Sequence, residues 1–91
     1  MNVTVKLGST LRAKAPGFVG GEGVIEVPGH GPHAVAEVMS ALGIRSDEVN
    51  IIYRNHQLVA VEASVANGDR VALFPPNFIH FSQFYLRRKV D

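Results

Sequence analysis

Val3, Val5 and Leu7 alternate with Asn2, Thr4 and Lys6, the two-residue period of a strand with one buried face. Residues 8–23 lose that period. Five glycines (Gly8, Gly17, Gly20, Gly21, Gly23) and Pro16 mark a loop, in which Ser9-Thr10-Leu11-Arg12 suits a short turn. Val24-Ile25-Glu26-Val27 predicts a second strand, stopped by Pro28-Gly29, so the first two strands are expected as a loose antiparallel hairpin. From Pro32 the recurrence changes: Val35, Val38, Met39 and Leu42 form an apolar stripe on one helical face. Pro32 suits the first helical turn, and Gly43 ends the helix because it takes the left-handed conformation that other residues avoid. Val49 to Tyr53 predicts a third strand, Arg54 to Gln57 a polar turn, and Leu58 to Val61 a fourth strand. Asn67-Gly68-Asp69 is a strong turn signal feeding a fifth strand, Val71 to Phe74. There Val71 and Leu73 share one side; Arg70, Ala72 and Phe74 share the other, which Arg70 marks as the outer one.

The order strand, strand, helix, strand, strand, strand argues for an α+β domain whose mixed sheet wraps one main helix, the ubiquitin-like β-grasp plan. Ninety-one residues leave room for one such domain. It is expected to occupy residues 1–76, with 77–91 as a C-terminal extension. The composition, 46% hydrophobic and 19% charged, suits a folded interior, and with no cysteine that interior must be held by packing.

Charge narrows the partners. The formal net charge is +1, and Arg87, Arg88 and Lys89 supply the basic excess, so no overall field draws in nucleic acid or an anionic membrane. The longest apolar runs, Leu58 to Val61 and Val71 to Phe74, are far too short to span a bilayer or form the apolar core of a signal peptide, and a cytoplasmic protein is expected.

Candidate chemistry is sparse. His30 and His33 stand three apart in a loop, with His56 and His80 elsewhere; without a nearby acidic or thiolate ligand, exposed, solvated imidazoles are expected rather than a metal site. Gly20-Gly21-Glu22-Gly23 lacks the Lys and Ser/Thr of a phosphate loop and reads as a flexible stretch. No catalytic set stands out, so neither an enzyme nor a bound cofactor is expected. The extension is different: it carries Phe78, Phe81, Phe84 and Tyr85, four of the seven aromatics, beside Arg87, Arg88 and Lys89. Phe78, Phe81 and Tyr85 would share one helical face. This segment is expected to pack on its own domain, on a second copy or on another protein, with Phe74 joining one apolar patch, the alternative being local disorder; single-stranded RNA is disfavoured by the absent basic field.

Three stretches resemble a known family in order and spacing. VKLGSTLRAKAPG (Val5 to Gly17), AVAEVMSALGI (Ala34 to Ile44) and NGDRVALFPP (Asn67 to Pro76) are similar to the sulfur carriers related to the molybdopterin synthase small subunit (MoaD) and the thiamine carrier ThiS. The resemblance implies the β-grasp fold and a flexible terminal Gly-Gly, whose carboxylate a ubiquitin-activating-like enzyme adenylates before conversion to a thiocarboxylate. Such an end must thread a narrow channel, which excludes side chains. Here Pro75-Pro76 is followed by Asn77-Phe78-Ile79-His80, and no glycine follows Gly68. Gly8 stands where the family often has an aromatic residue, and Ala34 where it often has a helix-capping Thr. The chain is therefore expected to act in or beside molybdenum or tungsten pterin cofactor assembly, or sulfur transfer, without being thiocarboxylated itself. It would bind a protein partner (an adenylating enzyme, a pterin-synthase-like subunit or an oxidoreductase) through Phe74, Phe78, Phe81, Phe84, Tyr85, Arg87 and Arg88. The alternatives are a homo-oligomer built through the extension, and the small subunit of a pterin-containing oxidoreductase.

Overall fold

The computed structural model describes residues 1–29 and 33–76. Its elements run β1 (Asn2–Leu7), a 3-10 helix (Ser9–Lys14), β2 (Glu22–Glu26), β3 (His33–Ala34), α1 (Val35–Ala41), a 3-10 turn (Ser46–Glu48), β4 (Ile51–Arg54), β5 (Gln57–Val59), β6 (Ser64–Val65) and β7 (Arg70–Phe74). Five strands form one mixed sheet in the order β2-β1-β7-β4-β5, and β3 pairs with β6. β1 and β7 run parallel at its centre, Thr4 opposite Arg70 and Leu7 opposite Leu73; every other pairing is antiparallel. This is the β-grasp arrangement expected from the order of elements.

The alternation in β1 and β7 decides which face is filled. Val3, Val5, Leu7, Val71 and Leu73 are all fully buried, and Ile52 of β4 joins them. Against them α1 lays Val35, Val38 and Met39, while Leu11, Val27, Ile44, Val49 and Val65 close the rim. Each such side chain is worth about 1.5–3 kcal/mol when fully buried, so the inner face carries the stability of the domain.

Several element limits differ from the sequence reading, each because the backbone finds a different partner. β2 starts at Glu22 rather than Val24, since Glu22 and Gly23 pair with Lys6 and Val5; the supposed flexible glycine stretch is half strand. β5 ends at Val59 because the carbonyls of Val61 and Ala63 accept the N–H groups of Ala36 and Val35, at 3.0 Å each. Those two bonds also answer the missing cap. Ala34 is the N-cap of α1 and has no side-chain oxygen, so the carbonyls of the 61–63 segment satisfy the first helical donors, and Glu37 Oε1 reaches the Ala34 N–H at 3.4 Å. The helix is accordingly shorter than expected, starting at Val35; Pro32 lies outside the described residues. At its end Gly43 (φ +70°) donates to Ser40 O and Ile44 to Met39 O, a Schellman closure with Ile44 packed beside Met39.

Ala34→Thr should supply the absent half of this cap, a hydroxyl accepting the Glu37 N–H. A gain of about 0.5–1 kcal/mol is expected in urea unfolding, and a loss would show that the 61–63 carbonyls already define the only workable helix start.

Candidate functional site

The inner face is closed on the helix; the outer face of the sheet is the one that the described residues leave uncovered. The pairing registers bring one row of side chains across it: Glu22, Lys6, Ala72, Tyr53 and Leu58, contributed in turn by β2, β1, β7, β4 and β5. Phe74 lies two positions beyond Ala72 on β7, and Arg70 two positions before it. Phe74 therefore stands on the outer face, as the alternation of β7 requires, and meets Tyr53 edge to face with ring centroids 6.1 Å apart and planes at 81°. Leu58 and Val24 project from flanking strands with 69% and 64% of their surface exposed, which extends the apolar area on both sides.

Gly8 makes the position of Phe74 possible. A Cβ at Gly8 would overlap Phe74 Cδ1 and lie 2.7 Å from Cε1, so the ring rests where a side chain at residue 8 would otherwise stand. The space over Gly8 is thus filled by an aromatic ring arriving from β7.

The electrostatics of the face are uneven. Arg70 forms an ion pair with Glu22 across β1. Lys6 and His56 have no ion pair or side-chain hydrogen bond among the described residues. His56 sits in the tight turn between β4 and β5, where Asn55 and His56 both have positive φ (51° and 70°). That turn is tied to the neighbouring one: Asn55 donates to Asp69 Oδ1 at 3.0 Å, and Asp69 Oδ2 accepts the Ala66 N–H at 2.8 Å. The Ala66 N–H first and the Asn55 amide second hold the Asp69 carboxyl below its usual range.

Lys6, Tyr53, His56, Arg70, Ala72 and Phe74 enclose a hollow of about 270 Å³ on this face. A larger one, about 450 Å³, lies between Val27-Pro28 and α1, where a single carboxylate, Glu37, is the one charged group among the described lining residues. Size alone does not choose between them; the outer-face hollow has the aromatic pair and the basic groups together.

His33 corrects the expectation that the two loop histidines are exposed, solvated imidazoles. It is 6% exposed, and its Nδ1 lies 2.5 Å from Glu37 Oε2. One helical turn separates the two residues, so the acidic partner was present in the sequence at the i+4 position. The His33 hydrogen bond first and the Ala34 N–H second hold the Glu37 carboxyl below its usual range. His33 Nε2 is buried without a hydrogen-bond partner among the described residues.

Phe78, Phe81, Phe84, Tyr85, Arg87 and Arg88, like His30 and His80, lie outside the described residues. Tyr53, which completes the aromatic pair, escaped the sequence reading; only the β4–β7 register reveals it. Among the described residues, no cluster of three or more His, Asp or Glu side chains is placed to hold a metal ion, and no helix is long and apolar enough to cross a membrane.

The sequence matches the ThiS family over residues 22–77. No curated protein matches it. Among solved structures the chain is similar to SAMP1 from Haloferax volcanii, with a TM-score of 0.63 and 24% identity over 84% of this chain and 96% of that one. A second H. volcanii structure, of small archaeal modifier protein 1, gives a TM-score of 0.63 and 24% identity over 82% and 97%. A protein assigned as molybdopterin converting factor subunit 1 from Pyrococcus furiosus gives 0.61 and 23% over 82% and 97%. At these identities the likeness is one of fold.

Proposed function

Because this chain belongs to the ThiS family, we propose that it acts by docking on a protein partner in or beside molybdenum or tungsten pterin cofactor assembly or sulfur transfer, in the cytoplasm. The observation that carries this reading is the aromatic pair Tyr53–Phe74 on the outer sheet face. An edge-to-face pair flanked by exposed Leu58 provides the rigid apolar anchor on which protein interfaces concentrate their binding energy. Phe78, Phe81, Phe84 and Tyr85 follow soon after Pro75-Pro76 and would enlarge that surface, with Arg87 and Arg88 at its polar rim.

Sulfur carriage is assigned elsewhere for a chemical reason. Ile79-His80 stands where the family pattern places Gly-Gly, two residues after Pro75-Pro76, and these side chains would block entry to the narrow channel of an adenylating enzyme. The chain is read as a binding protein rather than an enzyme. The likeness to a molybdopterin converting factor subunit supports the pterin side of the assignment.

The test uses the full chain with the adenylating enzyme and the large pterin-synthase-like subunit of the same host. Binding to one of them is expected, weakened about tenfold or more by Tyr53→Ser combined with Phe74→Ser, a loss of roughly 1.4 kcal/mol or more. With ATP and a sulfur donor, intact mass should show no exchange of carboxylate oxygen for sulfur. Unchanged affinity in the double variant removes the face from the reading, and a concentration-dependent dimer abolished by the same substitutions favours a homo-oligomer instead.

A further inference from the structure

The outer-face hollow has a built floor and walls. Ala72 is the smallest side chain in its cross-strand row, and four larger ones surround it: Lys6 and Tyr53 opposite it on β1 and β4, and Arg70 and Phe74 two residues either way along β7. His56 closes the remaining side from the β4–β5 turn. A methyl group ringed by longer chains leaves the space of about 270 Å³.

The wall is chemically divided. Tyr53 and Phe74 form one apolar side, fixed by their edge-to-face contact. On the other side Lys6 and His56 offer N–H groups that engage nothing among the described residues, whereas Arg70 is partly satisfied by Glu22. A neutral or cationic occupant would leave Lys6 desolvated and unpaired, which is costly. A carboxylate would accept from Lys6 and His56 and draw on the remaining donors of Arg70, forming charge-assisted bonds stronger than neutral ones.

Resting on the docking reading above, we infer that this hollow is the specificity pocket of the docking face: it takes a carboxylate from an acidic segment of the partner protein, with an adjoining apolar side chain against Tyr53 and Phe74. Apolar contact at the aromatic pair would supply residence time, and the carboxylate over Ala72 would fix the register of the partner segment.

The test probes the full chain, labelled with nitrogen-15, with phenylacetate and with its neutral isostere phenylacetamide. Amide signals of Lys6, Tyr53 and Ala72 should respond to phenylacetate at concentrations about tenfold below those needed for phenylacetamide. Lys6→Met should remove most of that preference. Ala72→Leu should abolish both responses while the spectrum stays dispersed, because residue 72 faces away from the core. Equal responses to the two probes overturn the carboxylate assignment but leave the aromatic docking face intact; loss of the docking face itself registers separately, in the Tyr53→Ser and Phe74→Ser affinities. No response at these three amides to either probe also overturns the pocket. Responses that emerge only in a Phe81→Ala and Tyr85→Ala variant would give the hollow to the chain's own 77–91 segment, and signals that move with protein concentration alone would give it to a second copy. Either result overturns assignment to a partner's acidic segment.

Discussion

Leu73→Ala should lower the unfolding free energy by about 3–5 kcal/mol, the upper part of the range for a leucine truncated in a packed core. Leu73 is fully buried and stands between Leu7 of β1 and Ile52 of β4 in the central row of the inner face. Its carbonyl accepts the Gly8 N–H at 3.0 Å, and that backbone bond holds the strand in place after truncation, so the cavity cannot easily collapse. A domain of this size has about 5–15 kcal/mol in total, so the variant should unfold at much lower urea. The adjacent substitution Ala72→Leu points to the other face and should change stability by less than about 0.5 kcal/mol. Equal costs at the two positions would contradict the division of β7 into a core side and a binding side.

Gly21→Ala should cost about 2–4 kcal/mol, and its neighbour supplies the control. Gly21 has φ +79°, and a Cβ there would lie 2.6 Å from the Leu7 carbonyl oxygen and 2.9 Å from Arg12 Nε. The left-handed conformation alone costs an L-residue about 1–2 kcal/mol. The remainder comes from the clash, because Leu7 O belongs to the central region of the sheet and Gly21 O itself accepts the Leu7 N–H at 2.7 Å, so neither partner can move freely. Gly20 has φ +64° and nothing within 4 Å of the place a Cβ would occupy, so Gly20→Ala should show the conformational cost alone. Denaturant unfolding of the pair separates strain from collision. If the two variants lose the same amount, the Leu7 carbonyl is not the obstacle.

The periodic parts of this fold were legible in the sequence because burial imposes the period directly. Val3-Val5-Leu7 and Val71-Leu73 had to share a face, and Gly43 had to close a helix carrying Val35, Val38 and Met39. What escaped was set by pairing between distant segments. β3 and β6 have two residues each, too few to show any alternation, and they exist because the 61–65 segment passes beside the start of α1. Ala34 looked like a cap defect for the same reason: its substitutes are backbone carbonyls, which leave no trace in side-chain identity. The candidate site divides likewise. The outward position of Phe74 follows from its own strand, whereas Tyr53 joins it only through the β4–β7 register, which places Tyr53 opposite Ala72. His33 departs from its expected exposure because the helix that begins two residues later brings Glu37 one turn away onto its ring.

The parallel central pair also dictates when this protein can fold. β1 and β2 are neighbours in the chain, as are β4 and β5, so both hairpins can close early at small loop-closure cost. β7 is different, for it must insert between β1 and β4 and joins Thr4 to Arg70 across nearly the whole described chain. Contacts of that separation slow folding, because the entropy of closing the loop is lost before the contacts compensate. On a ribosome, the earlier strands would wait with Val3, Val5 and Leu7 uncovered until the residues through Phe74 had left the exit tunnel, and folding would then proceed in one late, cooperative step.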